Sequence, residues 1–366
     1  MKHVFLAIFI VFLASGVSWS QSQPSGALQG SNLLNPNISV IGWFQGEAGH
    51  RQLAVDAEAP PAFQFKEAEV SFQSVVDPYA RADYFVSIGK EGANLEEGYI
   101  SWFHLPYDLS LKAGKIKAGF GRFNTNHSHN IAFADRPLVH DKYFGEEGIA
   151  DAGGALSWHV PNPWLFVDLD AEVLNMPKAK DVPAFDKAQS KDLLYIGRLS
   201  GYYDLTEELN TTIGGSYAHG TAGQEFNAVR GSSTTLESQL YGTDITLRWK
   251  NPRRAIYQSV IWQTEVLWNK REISNLASVY SMGLFTHLEY QFAQRWKMGG
   301  RWDWSQSPTN GSQHDQGQLV YLTFTPSEFS LISLQGKEVK KADGSNESLG
   351  FLRVTFNIGP HGAHPF

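Results

Sequence analysis

From Ile38 onward the chain alternates apolar and polar residues with a period of two, the pattern of strands with one apolar face rather than of helices. In Trp164–Asn175, Leu165, Val167, Leu169, Ala171 and Val173 alternate with Phe166, Asp168, Asp170, Glu172 and Leu174. Tyr241, Thr243, Ile245, Leu247 and Trp249 alternate with Gly242, Asp244, Thr246 and Arg248. Ala80, Ala82, Tyr84, Val86 and Ile88 alternate with Arg81, Asp83, Phe85 and Ser87. The pattern predicts about sixteen strands: 38–46, 63–76, 79–88, 96–104, 109–119, 150–159, 164–175, 192–202, 209–219, 238–249, 256–268, 279–291, 295–304, 317–325, 329–337 and 348–358.

The connections between them are unequal. Every second one is tight and rich in turn formers, as at Val76-Asp77-Pro78, Pro161-Asn162-Pro163 and Pro326-Ser327-Glu328. The others read as long polar loops: 47–62, 89–95, 120–149, 176–191, 220–237, 269–278, 305–316 and 338–347. Short turns at one end and long loops at the other are the asymmetry of a transmembrane β-barrel, with periplasmic turns and extracellular loops. A soluble sandwich of this size would need a very large dry core. Closure into one antiparallel barrel instead puts apolar faces on lipid and charged faces on water, and leaves no edge unpaired. Aromatic residues gather near strand ends (Trp102, Trp158, Trp164, Trp249, Trp268, Trp296, Trp302), as interfacial girdles require.

Met1–Ser20 has a short positive start (Lys2, His3), an apolar run from Val4 to Leu13, then small residues, the order of a secretory signal peptide. The apolar run is too short for the ~20 residues of a spanning helix. Residues 21–37 read as a flexible lead-in, 38–358 as the barrel and 359–366 as a tail. The chain has no Cys, which excludes disulfides, thiolate metal sites and cysteine nucleophiles. Its net charge of −7 argues against a nucleic-acid partner.

At two places the chain resembles the sixteen-stranded porins of the bacterial outer membrane. The longest loop is the third, Phe120–Ile149, and in porins the third loop folds inward and narrows the lumen. The strand Gly350–Ile358, with Leu352, Val354, Phe356 and Ile358 on one face, and the final Phe366 resemble the signal read by the barrel-assembly machinery. The His-bearing third loop and the tail GPHGAHPF also resemble uncharacterised barrels loosely labelled zinc-regulated outer-membrane proteins. The porin resemblance implies an integral protein of a Gram-negative-type outer membrane, in contact with its lipid, that passes small solutes or ions and could form a homotrimer.

The charged strand faces assign the acids Glu67, Glu69, Asp83, Asp168, Asp170, Glu172, Asp244, Glu265, Glu289 and Asp303 to the lumen. The matching bases are Arg81, Lys115, Lys117, Arg198, Arg248, Arg301 and Arg353. Ten acids against seven bases predict a weak cation preference, or little preference. In the third loop, Arg122, Asp135, Arg136, Lys142, Glu146 and Glu147 are the expected constriction residues. His127 and His129, with His140, are candidate zinc ligands, since imidazole and carboxylate are zinc donors. No other cofactor is expected. No G-x-S-x-G, H-E-x-x-H or P-loop occurs, so an enzyme is not expected. The expected function is passive diffusion through a water-filled barrel, with the third loop as constriction. Zinc-related transport, a barrel enzyme and a sleeve for a partner protein are the alternatives.

Overall fold

The structure, a computed structural model, describes residues 36–50, 62–90, 92–227, 232–254, 256–274 and 276–359. The expected signal peptide 1–20, nearly all of the lead-in 21–37 and all of the tail beyond Gly359 lie outside the described residues.

The alternating segments form sixteen strands. The first eight are β1 (Asn37–His50), β2 (Phe63–Asp77), β3 (Ala80–Gly89), β4 (Gly92–Leu105), β5 (Leu109–Lys117), β6 (Ala150–His159), β7 (Phe166–Asn175) and β8 (Leu193–Asp204). They are followed by β9 (Leu209–Asn227), β10 (Ser232–Lys250), β11 (Ser259–Ser274), β12 (Ala277–Ala293), β13 (Trp296–Ser307), β14 (Asn310–Ser327), β15 (Ser330–Lys340) and β16 (Asn346–Ile358). Each pairs with its neighbours in sequence, and β1 closes antiparallel onto β16 with Trp43 opposite Thr355 and Gln45 opposite Arg353. Closure leaves no strand edge to seek another chain.

The outer surface is a lipid-facing belt. Leu169, Leu199, Ile213, Leu288, Val320, Leu334 and Leu352 are exposed on it. Aromatics flank it on both sides: Tyr79, Tyr107, Trp164, Tyr203, Phe292, Trp296 and Phe329 near the short turns, and Tyr195, Tyr217, Tyr241, Trp268 and Trp302 toward the other end. A closed barrel with such a belt is an integral barrel of the outer-membrane type. Among the described residues no helix is long and apolar enough to cross a membrane.

Four expected long loops are largely strand, the first being 89–95, where β3 ends at Gly89 and β4 begins at Gly92. β9 and β10 run through most of 220–237, β11 and β12 through most of 269–278, and β13 and β14 through most of 305–316. These stretches are polar on both faces because the hairpins continue past the lipid belt, where neither face needs to be apolar.

The loop that fills the lumen

The third loop, between β5 and β6, leaves the wall at Ala118 and turns inward. Gly121 makes that entry possible: its φ is +65°, and a Cβ there would stand 2.0 Å from Glu265 Oε1. Glu265 on β11 receives the backbone, its Oε2 accepting from the N–H groups of Arg122 (3.3 Å) and Phe123 (3.2 Å). The loop then crosses the barrel interior and carries a short helix, α1 (Leu138–Phe144), which packs against β12, β13 and β14.

Wall side chains hold the loop along its length. Arg353, buried on β16, donates to the carbonyls of Ile131 (2.6 Å) and Phe133 (2.8 Å) and to that of His129, and lies over the Trp43 ring. Arg301 donates to the Asp135 carbonyl (3.0 Å) and carboxylate (3.1 Å), and Lys337 pairs with the same carboxylate. Burial alone would raise the Asp135 carboxyl; the two cations outweigh it and hold it below the usual carboxylate range. Lys142 bridges to Asp315 at 2.9 Å, and Tyr143 donates to Ser281 Oγ at 2.8 Å. Arg136 is buried over the Phe123 ring with its NH1 near the Glu146 carbonyl, and Lys117 donates to the Glu147 carbonyl.

Around α1 the interior is a packed apolar core rather than a water channel. Phe120, Phe123, Phe133, Tyr143 and Phe144 of the loop meet Leu194, Leu240, Leu267, Phe285 and Leu319 of the wall. The fourth loop adds Val182, Ala184 and Phe185, with the Ala184 N–H donating to the Tyr143 carbonyl. His140 lies in this core, its Nε2 3.2 Å from Glu265 Oε1 and its ring against Phe123, Phe144 and Phe285.

His127 and His129 lie elsewhere, at the wall formed by β2 and β4. His127 Nδ1 stands 2.8 Å from Glu69 Oε2 and 2.9 Å from Glu96 Oε2, and its Nε2 is 2.9 Å from Glu97 Oε2. Burial disfavours a charged ring, yet the hydrogen bonds its N–H groups donate to the three carboxylates prevail and hold His127 well above the ordinary histidine value. Glu67 and Glu69 point inward as alternate residues of β2. Glu96 and Glu97 both point inward because a bulge between the Phe85–Glu97 and Val86–Leu95 pairs inserts Glu96 as an extra residue. The period-two reading missed both, although consecutive acids at a break in alternation mark such a bulge.

Beneath the loop, on the side of the short turns, lies a cavity of about 1940 Å³. The loop, through Gly119, Gly121–Phe123, Thr125, Asn126 and His129–Phe133, forms its roof. Its charged lining is Lys112, Lys117, Arg122, Arg198, Arg248, Lys250, Arg295 and Lys297 against Asp168, Asp170, Glu172, Glu289 and Glu328, eight bases to five acids. Arg198 is paired with Asp244 and Lys117 is buried 3.8 Å from Glu96, so six bases and five acids remain, and the acidic excess of the strand faces is absent from this vestibule. The reason is sequestration: Glu67 and Glu69 are covered by His127 and His129 of the loop, Asp83 pairs with Arg81, Asp244 with Arg198, Asp303 with Arg301, and Glu265 caps the loop backbone. Arg301 and Arg353 likewise hold the loop instead of facing water.

No protein-family model matches the chain. An uncharacterised protein of Aquifex aeolicus is 27% identical over 364 residues, covering 90% of this chain and 75% of that one. Among solved structures, OprB of Pseudomonas putida superposes with a TM-score of 0.60 at 10% identity, over 88% of this chain and 94% of its own. An anion-selective porin from Comamonas acidovorans gives 0.56 at 9% identity, over 88% and 98%. The fold is a porin fold. These likenesses carry the architecture; the chemistry must come from this chain's own residues.

Proposed function

We propose that this barrel is a passive outer-membrane channel for small hydrophilic solutes, with the third loop as its constriction and a weak preference for anions. The observation that carries the proposal is the roofed vestibule, with eight bases and five acids on its walls. Arg122, Arg248 and Lys250 bring positive charge to a water-filled space, where field strength sets which ions enter. The described anion selectivity of the Comamonas porin supports the same sign. Homotrimer formation and handling by the barrel-assembly machinery belong to this proposal and rest on the porin resemblance.

The geometry favours a channel over the alternatives. Both ring nitrogens of His127 face carboxylates, so neither is free to serve Ser128 as a base. The third loop occupies the space that a sleeve for a partner protein would need. The test is planar-bilayer recording of the folded protein across a salt gradient. Stepwise currents with an anion-selective reversal potential are expected. A folded barrel that passes no current, or a clear cation preference, would overturn the proposal.

A further inference from the structure

Six side chains from three separate segments converge where the first arm of the third loop meets the wall: Glu67 and Glu69 of β2, Glu96 and Glu97 of β4, and His127 and His129 of the loop. The atoms Glu69 Oε2, Glu96 Oε2 and His127 Nδ1 all lie within 4.8 Å of one another, and all three residues are buried. His129 Nδ1 is 3.6 Å from Glu69 Oε2 and 3.7 Å from Glu67 Oε1. Those separations are too long for hydrogen bonds. His129 Nδ1 and Glu67 Oε1 are buried without a hydrogen-bond partner, Glu69 Oε2 has His127 Nδ1 at 2.8 Å beside it, and the His129 side chain is only 2% exposed. Buried polar atoms left this way are costly, and here they point at one another.

We infer that this cluster is a binding site for a divalent transition-metal ion that ties the third loop to the β2–β4 wall. Three lines of chemistry agree. First, spacing: donors bonded at about 2.0–2.2 Å stand roughly 3 to 3.6 Å apart in octahedral or tetrahedral geometry. The separations of 2.8, 2.9, 3.6 and 3.7 Å bracket that range. Second, orientation: Glu97 Oε2 faces His127 Nε2 at 2.9 Å while its Oε1 accepts from the Lys117 N–H at 2.7 Å. That arrangement aims Nδ1 at Glu69 and Glu96, the carboxylate–imidazole pairing that orients a metal ligand. Third, charge: four carboxylates share the space with Lys117, whose Nζ is 3.8 Å from Glu96, and with the two histidines. A dication supplies the balance that buried acids require. Imidazole and carboxylate without thiolate suit zinc, cobalt or manganese.

This goes beyond the channel proposal and does not depend on it, because binding is read without current. The folded barrel in detergent is titrated with Zn²⁺ by calorimetry, and with Co²⁺ while its d–d absorption is followed. The expected result is one ion per barrel, with Co²⁺ bands that report mixed nitrogen and oxygen ligation. Glu69→Gln and His129→Gln should each weaken binding at least tenfold, and Glu97→Gln, one shell out, by about 10–100-fold. The heat-dependent gel mobility of each variant checks that the barrel has formed. His361→Gln/His364→Gln, in the tail, should bind as the parent does. Absence of stoichiometric binding in the folded parent would overturn the inference. So would binding that survives Glu69→Gln and His129→Gln, or that is lost only with the tail histidines.

Discussion

The two halves of the barrel interior are built on the same strands and are physically unlike. Toward the short turns the inward positions of β10 are Arg248 and Thr246, those of β7 are Asp168 and Asp170, and those of β12 are Glu289 and His287, around the vestibule. Further along the same strands the inward positions become Leu240, Leu174 and Phe285, fully buried under the third and fourth loops. The strand lattice is indifferent to this change. It presents every second residue inward, and loops decide whether those residues meet water or protein. The roof between the halves is therefore as much a part of the lumen's chemistry as the wall.

Breaking the apolar half should have the largest effect. Phe144→Ala removes a fully buried ring packed on Phe120 and His140 and should cost the docked loop about 3–5 kcal/mol. Hydrogen exchange of residues 118–149 would show it. Lys250→Gln, exposed in the wet half, should change stability by less than about 0.5 kcal/mol. Equal effects would mean the two halves do not differ as described.

Next comes the clamp at the boundary. Arg353→Gln removes the guanidinium that serves the carbonyls of His129, Ile131 and Phe133 and should destabilise the loop by roughly 3 kcal/mol. Limited proteolysis within 124–137 measures it; unchanged resistance would show that the clamp is dispensable.

A smaller effect should follow pH. The folded-state value of His127 is raised, so its ion pairs stabilise the metal-free loop fully below the unfolded value of about 6.5. That contribution fades as pH climbs through the raised folded value. Exchange of the loop amides should thus accelerate on the alkaline side beyond the intrinsic rate, and His127→Gln should abolish the extra dependence. Loosening on the acid side of neutrality would contradict the assignment. The smallest effect belongs to Arg248→Gln, which should move the reversal potential modestly toward zero while leaving conductance nearly unchanged.

The wall was legible because lipid on one side and a polar lumen on the other impose a strict period of two, and all sixteen expected strands are present. The hairpins beyond the lipid belt were misread as loops, since water on both faces removes the alternation. The loop's course was not legible, because its partners are distant: Arg353 meets Ile131, and Arg301 meets Asp135. A trace existed in the inward positions themselves, which pass from charged to apolar along β7, β10 and β12. The acidic excess of the strand faces does not reach the vestibule for a related reason. A count over strand faces cannot tell an acid facing water from one that holds a loop, as Glu69, Glu265 and Asp303 do. Glu96 and Glu97 escaped because a bulge breaks the rule on which the reading rests.

The most direct test of the roofed lumen is the single-channel conductance of the parent beside a variant lacking residues 124–142, both checked for barrel formation by heat-dependent mobility. The structure predicts small current steps in the parent and a several-fold increase when the roof is removed. Equal conductance in two folded barrels would contradict it, because a loop that narrows the path cannot be deleted without widening it.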